Sequence, residues 1–219
     1  MKVNYGEIDE VTSVVLNYWH TMNLINEKPY DDISEKILDR NEKTLTIIKK
    51  IQNLIKGGWN DFTTDIEKYQ FSGDDILWVY SMLLTQLSLA QSEGLKQFLL
   101  SILDKDKIFK DRKKTFYEYG YLVSELAKNI QDKTFRTKFQ NLFNIDIRNA
   151  LAHDDWWFEN QKFNFRDKDK NIVQYKFIDF MYEVKKINSV THYFVARYLQ
   201  NHRTSHQSYQ YYNQLDHQF

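Results

Sequence analysis

The sequence predicts an all-α fold, on three observations. Apolar residues recur at helical spacing along most of the 219 residues. Chain breakers are scarce, with one proline, Pro29, and six glycines. The period changes to strict alternation over one short stretch only, where Phe163 and Phe165, and then Val173, Tyr175 and Phe177, alternate with polar neighbours around the turn-forming run 167–171. The expected architecture is a helical bundle with a small β-hairpin late in the chain.

The elements follow in order. A first helix over 7–25 carries Val11, Val14, Val15, Tyr18 and Met22 on one side. Pro29 and Asp31-Asp32 mark the start of a second, because acids suit the positive end of a helix dipole. Its stripe is Ile33, Ile37, Leu38, Leu45, Ile48, Ile51 and Ile55, and Gly57-Gly58 ends it. Residues 59–72 read as a short helix and loop. Ser72-Gly73-Asp74-Asp75 opens the next helix, with Ile76, Tyr80, Leu83, Leu84 and Leu87, then Leu95, Phe98, Leu99 and Ile102 beyond a break near Ser92-Glu93-Gly94. The charged stretch 104–114 reads as an exposed connection. Another helix, 114–130, carries Phe116, Tyr119, Val123, Leu126 and Ile130. A single helix over 133–152 is predicted from Phe135, Phe139, Phe143, Ile147 and Leu151, spaced four apart. The last helix, 177–202, carries Phe180, Val184, Ile187, Tyr193 and Phe194, and a polar tail of no clear period follows.

Composition narrows the function. Hydrophobic residues make up 42% and charged residues 27%, an ordinary globular balance, while aromatics reach 16%. The absence of cysteine excludes disulfides, thiolate nucleophiles and cysteine-based zinc sites. Residues Met1 to Glu7 hold no apolar run, and no stretch approaches the roughly 20 apolar residues needed to span a bilayer. A cytoplasmic protein without membrane contact is expected. Thirty Lys+Arg balance thirty Asp+Glu, so total charge does not itself predict a nucleic-acid binder, although it allows a local basic patch.

The densest concentration of chemistry-bearing side chains is Arg148-Asn149-Ala150-Leu151-Ala152-His153. With Ile147 facing the core and about 100° per residue, Asn149 and His153 become neighbours on the opposite face. Arg148 lies on a flank from which its long side chain can extend. Ala150 and Ala152 allow another backbone to approach. A helix end near His153 would favour protonated imidazole through the dipole, which suits acid–base work.

This string, Ile147 to His153 within a helical context, resembles the Arg-(four residues)-His signature of the HEPN superfamily (higher eukaryotes and prokaryotes nucleotide-binding domain), with Asn directly after the Arg. The resemblance covers 73–202 as a HEPN-like helical domain. It leaves 1–72 as an N-terminal helical extension and 203–219 as a flexible polar tail. It implies a metal-independent endoribonuclease of toxin–antitoxin or antiviral-defence type, needing no cofactor. Its substrate would be RNA and not DNA, and it would act as a homodimer with two Arg–His pairs in one cleft and possible antitoxin or defence partners. In that reading His153 is general acid or base, Arg148 stabilises charge on the phosphorane-like transition state, and Asn149 positions His153 or a phosphate oxygen. Some members carry a Tyr two residues after the His that is adenylylated. Here that position is Asp155, so regulation by that route is not expected. Asp154 and Asp155 add negative charge beside the proposed cleft.

Other readings stand beside this one. The resemblance also admits, as the alternative, a non-catalytic module that binds a nucleotide, RNA or protein. Without it, Arg148 could simply pair with Asp146 or another acid, and His153 could serve as a helix cap. His153-Asp154 is also found in helical metal phosphohydrolases, but those need a second upstream His at domain-scale spacing, and only His20 lies upstream. His202, His206 and His217 make no zinc pattern. Lys105, Lys107, Lys110, Arg112, Lys113 and Lys114 read as a solvated loop sooner than an RNA track. Trp156, Trp157 and Phe158 could stack on bases, or lie on a strand with rings on both faces.

Overall fold

The computed structural model describes residues 3–25, 32–56, 73–109 and 118–202. Eight helices and three strands lie among them: α1 Tyr5–Thr21, α2 Asp32–Lys56, α3 Gly73–Ile102, α4 Lys105–Ile108, α5 Tyr119–Lys128, α6 Lys133–Asn141, α7 Ile145–Ala152, β1 Trp156–Glu159, β2 Lys162–Arg166, β3 Ile172–Lys176 and α8 Phe177–His202. The chain is mostly helical, with one small antiparallel sheet. The readings at 59–72, at 110–117 and in the tail from 203 fall outside the described residues.

The long last helix organises the molecule. α1, α2 and α3 all pack along α8, and β2 and β3 lie against its first turns. From Ile187 to Leu199 most of its residues are buried, on every side, as expected of a helix surrounded by others. One core gathers Trp19 of α1, Phe98 of α3, Leu122 of α5, Phe139 of α6 and Phe194 of α8. There the Trp19 ring packs edge-on to Phe139 and parallel to Phe194. A second core joins Ile48 of α2, Leu84 of α3, Ile147 and Leu151 of α7, Phe163 and Phe165 of β2, and Phe180 of α8. The N-terminal helices therefore share their cores with the later ones.

Three expectations about the helices change. The predicted helix 133–152 is two helices, broken between Asn141 and Ile145. A spacing of four advances about 40° beyond a full turn each time, so five such residues cannot all stay on one straight face. The break lets Phe139 and Phe143 enter the first core while Ile147 and Leu151 enter the second. The expected break at 92–94 is absent: α3 runs unbroken for 30 residues, and Gly94 is a site of close packing. In α1 the buried face is Ile8, Val11, Val15 and Trp19, while Met22 is exposed.

The hairpin carries a third strand. β1 pairs with β2 through Trp156–Phe165 and Phe158–Phe163, and β2 pairs with β3 through Phe163–Tyr175 and Phe165–Val173. Asn160 and Gln161 both have positive φ, 51° and 58°, the twist that a two-residue hairpin loop requires. Phe163 stacks face to face on Phe180 at 3.7 Å between centroids, which seats the sheet on α8. The stretch 104–109 contains α4 and two buried residues, Ile108 and Phe109, so it is less exposed than its charges suggest.

Candidate active site at the end of helix α7

Helix α7 has only eight residues, too few to persist alone in water, and both ends are held. Asn144 caps the start, its side-chain oxygen accepting from the Ile147 amide at 3.1 Å, while its side-chain NH2 donates to Glu183 at 3.2 Å. At the other end the His153 amide donates to the Asn149 carbonyl at 3.0 Å and the Asp155 amide to Ala150 at 2.9 Å. Asp154 between them takes a left-handed φ of 55°, the reversal that closes a helix C-terminus. Ile147, Ala150 and Leu151 are buried, and this anchors the helix.

The three predicted site residues meet different surroundings. Arg148 reaches inward across to α3, where its Nη2 pairs with Glu93, fifty-five residues earlier. Its side chain is only 15% exposed, and its guanidinium lies 5.4 Å from the centre of the buried Tyr119 ring. Asn149 is half-buried and accepts from Arg148 Nη1 at 3.4 Å. His153 is exposed at the helix C-terminus, and its imidazole takes part in no hydrogen bond, ion pair or ring contact with the described residues. The structure thus joins Arg148 to Asn149 and leaves the His153 ring outward, one helix end away. Of the bland alternatives, Asp146 is not the acid that Arg148 finds.

Glu93 accepts from Lys96 at 3.0 Å as well as from Arg148. Burial alone would raise its carboxyl pKa. The hydrogen bonds and charges of Arg148 and Lys96 outweigh burial and hold it below the usual range. Tyr119 is fully enclosed, and burial pushes its phenol pKa well up, so it stays protonated. The space between Arg148, Tyr119, Ser88 and Ser92 is about 20 Å³, enough for a water and too small for a nucleotide. Any larger ligand must approach Arg148 from its outer side. A roomier hollow of about 270 Å³, between Asn4, Glu7, Lys138 and Lys186, contains none of the three motif residues.

Asp155, expected to load the site with negative charge, is itself neutralised. Arg166 donates to one of its oxygens at 2.7 Å and Lys170 to the other at 3.2 Å, and these bonds hold its pKa down. The Arg166 guanidinium also lies 5.4 Å from the centre of the Trp157 ring. Trp156 stacks on Phe163 and Phe158 packs edge-on to Phe177, so those two rings serve the core side of the sheet.

Sequence reasoning missed Glu93, Lys96 and Tyr119. The available signal was Glu93-Gly94-Leu95-Lys96, two charges within the otherwise uncharged stretch 76–102 of helix. Among the described residues no group of three metal-ligating side chains gathers, and no helix is long and apolar enough to cross a membrane. Comparison with protein families, with curated proteins and with solved structures finds no match for this chain.

Proposed function

We propose that this protein is a metal-independent endoribonuclease of the HEPN type, acting in a toxin or antiviral-defence role. The observation that carries the reading is an exposed imidazole at the C-cap of the eight-residue helix that holds an arginine clamped by Glu93 and Tyr119. A guanidinium has five N–H donors, and Glu93 and Asn149 engage only some of them. The Arg148 Nε is buried without a hydrogen-bond partner, so only the Nη donors left over by Glu93 and Asn149 suit a phosphate oxygen arriving from outside, while the clamp fixes the charge in place beforehand.

In the proposed reaction the RNA 2′-oxygen attacks the adjacent phosphorus and the bond to the 5′-oxygen breaks. The 2′-hydroxyl proton passes to a base and the leaving 5′-oxygen receives one from an acid, giving a cyclic phosphate and a 5′-hydroxyl. His153 takes one of these proton transfers and the His153 of a second copy the other, which is the mechanistic reason for a homodimer. Trp78, Val79, Met82 and Leu83 are exposed on α3 and supply apolar surface of the kind that association removes from water.

RNA incubated with the purified chain in a chelator is expected to yield cyclic phosphate ends. His153→Ala should lower the rate by about 10² to 10⁴ while leaving the thermal midpoint in place. Undiminished cleavage by that variant removes the mechanism. A second reading, a non-catalytic HEPN-like module, is favoured by one observation: the limited exposure of Arg148 behind its ion pair. RNA binding without cleavage by the wild type, weakened in Arg148→Ala, would select it.

A further inference from the structure

Helix α2, outside the segment that resembles HEPN, supplies another arginine beside this site. Arg40 is half-buried and lies against α3 at Gly94. A Cβ at position 94 would collide with Arg40 Nη2, so the glycine is what lets the guanidinium rest on the helix backbone. Gly94 is one residue, about 100°, from Glu93 on the same turn. Arg40 therefore approaches that turn from the α2 side, and Arg148 approaches it from the α7 side.

The two arginines differ in their partners. Glu93 gives its two oxygens to Arg148 and Lys96. Arg40 has no carboxylate partner among the described residues; its Nε, like that of Arg148, is buried without a hydrogen-bond partner. Burial without compensation lowers its pKa. Holding an unpaired guanidinium partly out of water costs stability, and structural arginines normally avoid that cost by pairing. Planar, forked donors recognise phosphate oxygens well.

We propose that Arg40 is a phosphate-binding residue, which together with Arg148 receives the phosphate groups of the ligand across the Glu93–Gly94 turn. The ligand chemistry is a phosphate oxyanion. Its assignment to an RNA backbone rests on the ribonuclease reading, but the site itself does not. Arg40 makes contact at a phosphate neighbouring the reacting one, and takes no part in proton transfer.

The test is equilibrium binding to the full chain carrying His153→Ala, so that no turnover intervenes, with a single-stranded oligouridylate, uridine monophosphate and inorganic phosphate as separate probes. Adding Arg40→Gln should raise the oligouridylate Kd about tenfold and reduce the slope of log K against log salt by about 0.7, the loss of one phosphate contact on a single strand. Arg40→Lys should restore part of the affinity. Gly94→Ala, which displaces the guanidinium without deleting it, should weaken binding as Arg40→Gln does. Arg40→Met should keep or raise the thermal midpoint, where a purely structural arginine would lower it. A loss confined to the oligouridylate identifies the phosphodiester as the source, and a loss extending to the smaller probes identifies a nucleotide or free phosphate. Failure of the wild type to cleave RNA removes the ribonuclease reading and leaves this test intact. Equal affinity and equal salt slope for Arg40→Gln and its parent with every probe, or no binding of any probe by the parent, overturns the proposal.

Discussion

The Glu93 carboxylate meets Arg148 on one oxygen and Lys96 on the other, and both cations are largely out of water. Removing that carboxylate takes a shared counter-charge from two largely buried cations, so the loss falls mainly on the groups that remain. Glu93→Ala is expected to destabilise the fold by about 1–2 kcal/mol. The cost is moderated because the Glu93 side chain is itself 39% exposed and partly screened by water. Thermal melts of Glu93→Ala beside Glu93→Gln check this, the amide retaining part of the hydrogen bonding and part of the stability. Within the motif, Arg148 is fixed by its pair with Glu93, while the His153 ring is exposed at the helix end.

Helix α7 depends on its ends as much as on its apolar face. Eight residues make only about two turns, which cannot offset the entropy of nucleation, so the Asn144 cap and the closing bonds from His153 and Asp155 carry a large share of its order. Asn144→Ala should cost about 1 kcal/mol. It should also speed amide exchange at Ile147 and Arg148 before the rest of the molecule opens, and exchange measured residue by residue reads this directly. Uniform acceleration across α8 would show instead that α7 opens only with the whole fold. The sheet supports the other side of the same helix: β2 packs its two phenylalanines under Ile147 and Leu151.

Across the whole molecule, α2, α3 and α8 meet through a buried polar layer. Gln91 donates to Thr44 at 3.0 Å, Thr191 reaches the Gln91 carbonyl at 3.4 Å, and Asn188 donates to the Asn41 carbonyl at 3.5 Å. His192 lies in this layer, 8% exposed, with Nε2 unpartnered. Burial pushes its pKa down from 6.5 to about 4. The unfolded chain therefore takes up this proton first as the medium is acidified. The stabilisation is whole above pH 6.5 and is lost progressively as pH falls from 6.5 toward 4, by about 3 kcal/mol in all. Urea midpoints measured across that interval should decline in the wild type and decline less in His192→Gln. Parallel curves would place the acid sensitivity elsewhere.

The sequence by itself determined the helical class, the extent of α8, the position of the hairpin formed by β2 and β3, and the start of α2 and α3. Each of these rests on periodicity or on end signals that act within a few residues. It also concentrated attention on Arg148, Asn149 and His153, whose side chains stand out within one short helix. Tertiary structure alone decided that Arg148 meets Glu93, that Arg40 rests on Gly94, and that the run 133–152 is two helices. These outcomes depend on how α2, α3 and α7 are placed against one another. An ion pair between residues fifty-five positions apart leaves no periodic trace in the chain. A stripe that drifts by 40° at each step becomes a broken helix only when two separate cores are there to receive its halves.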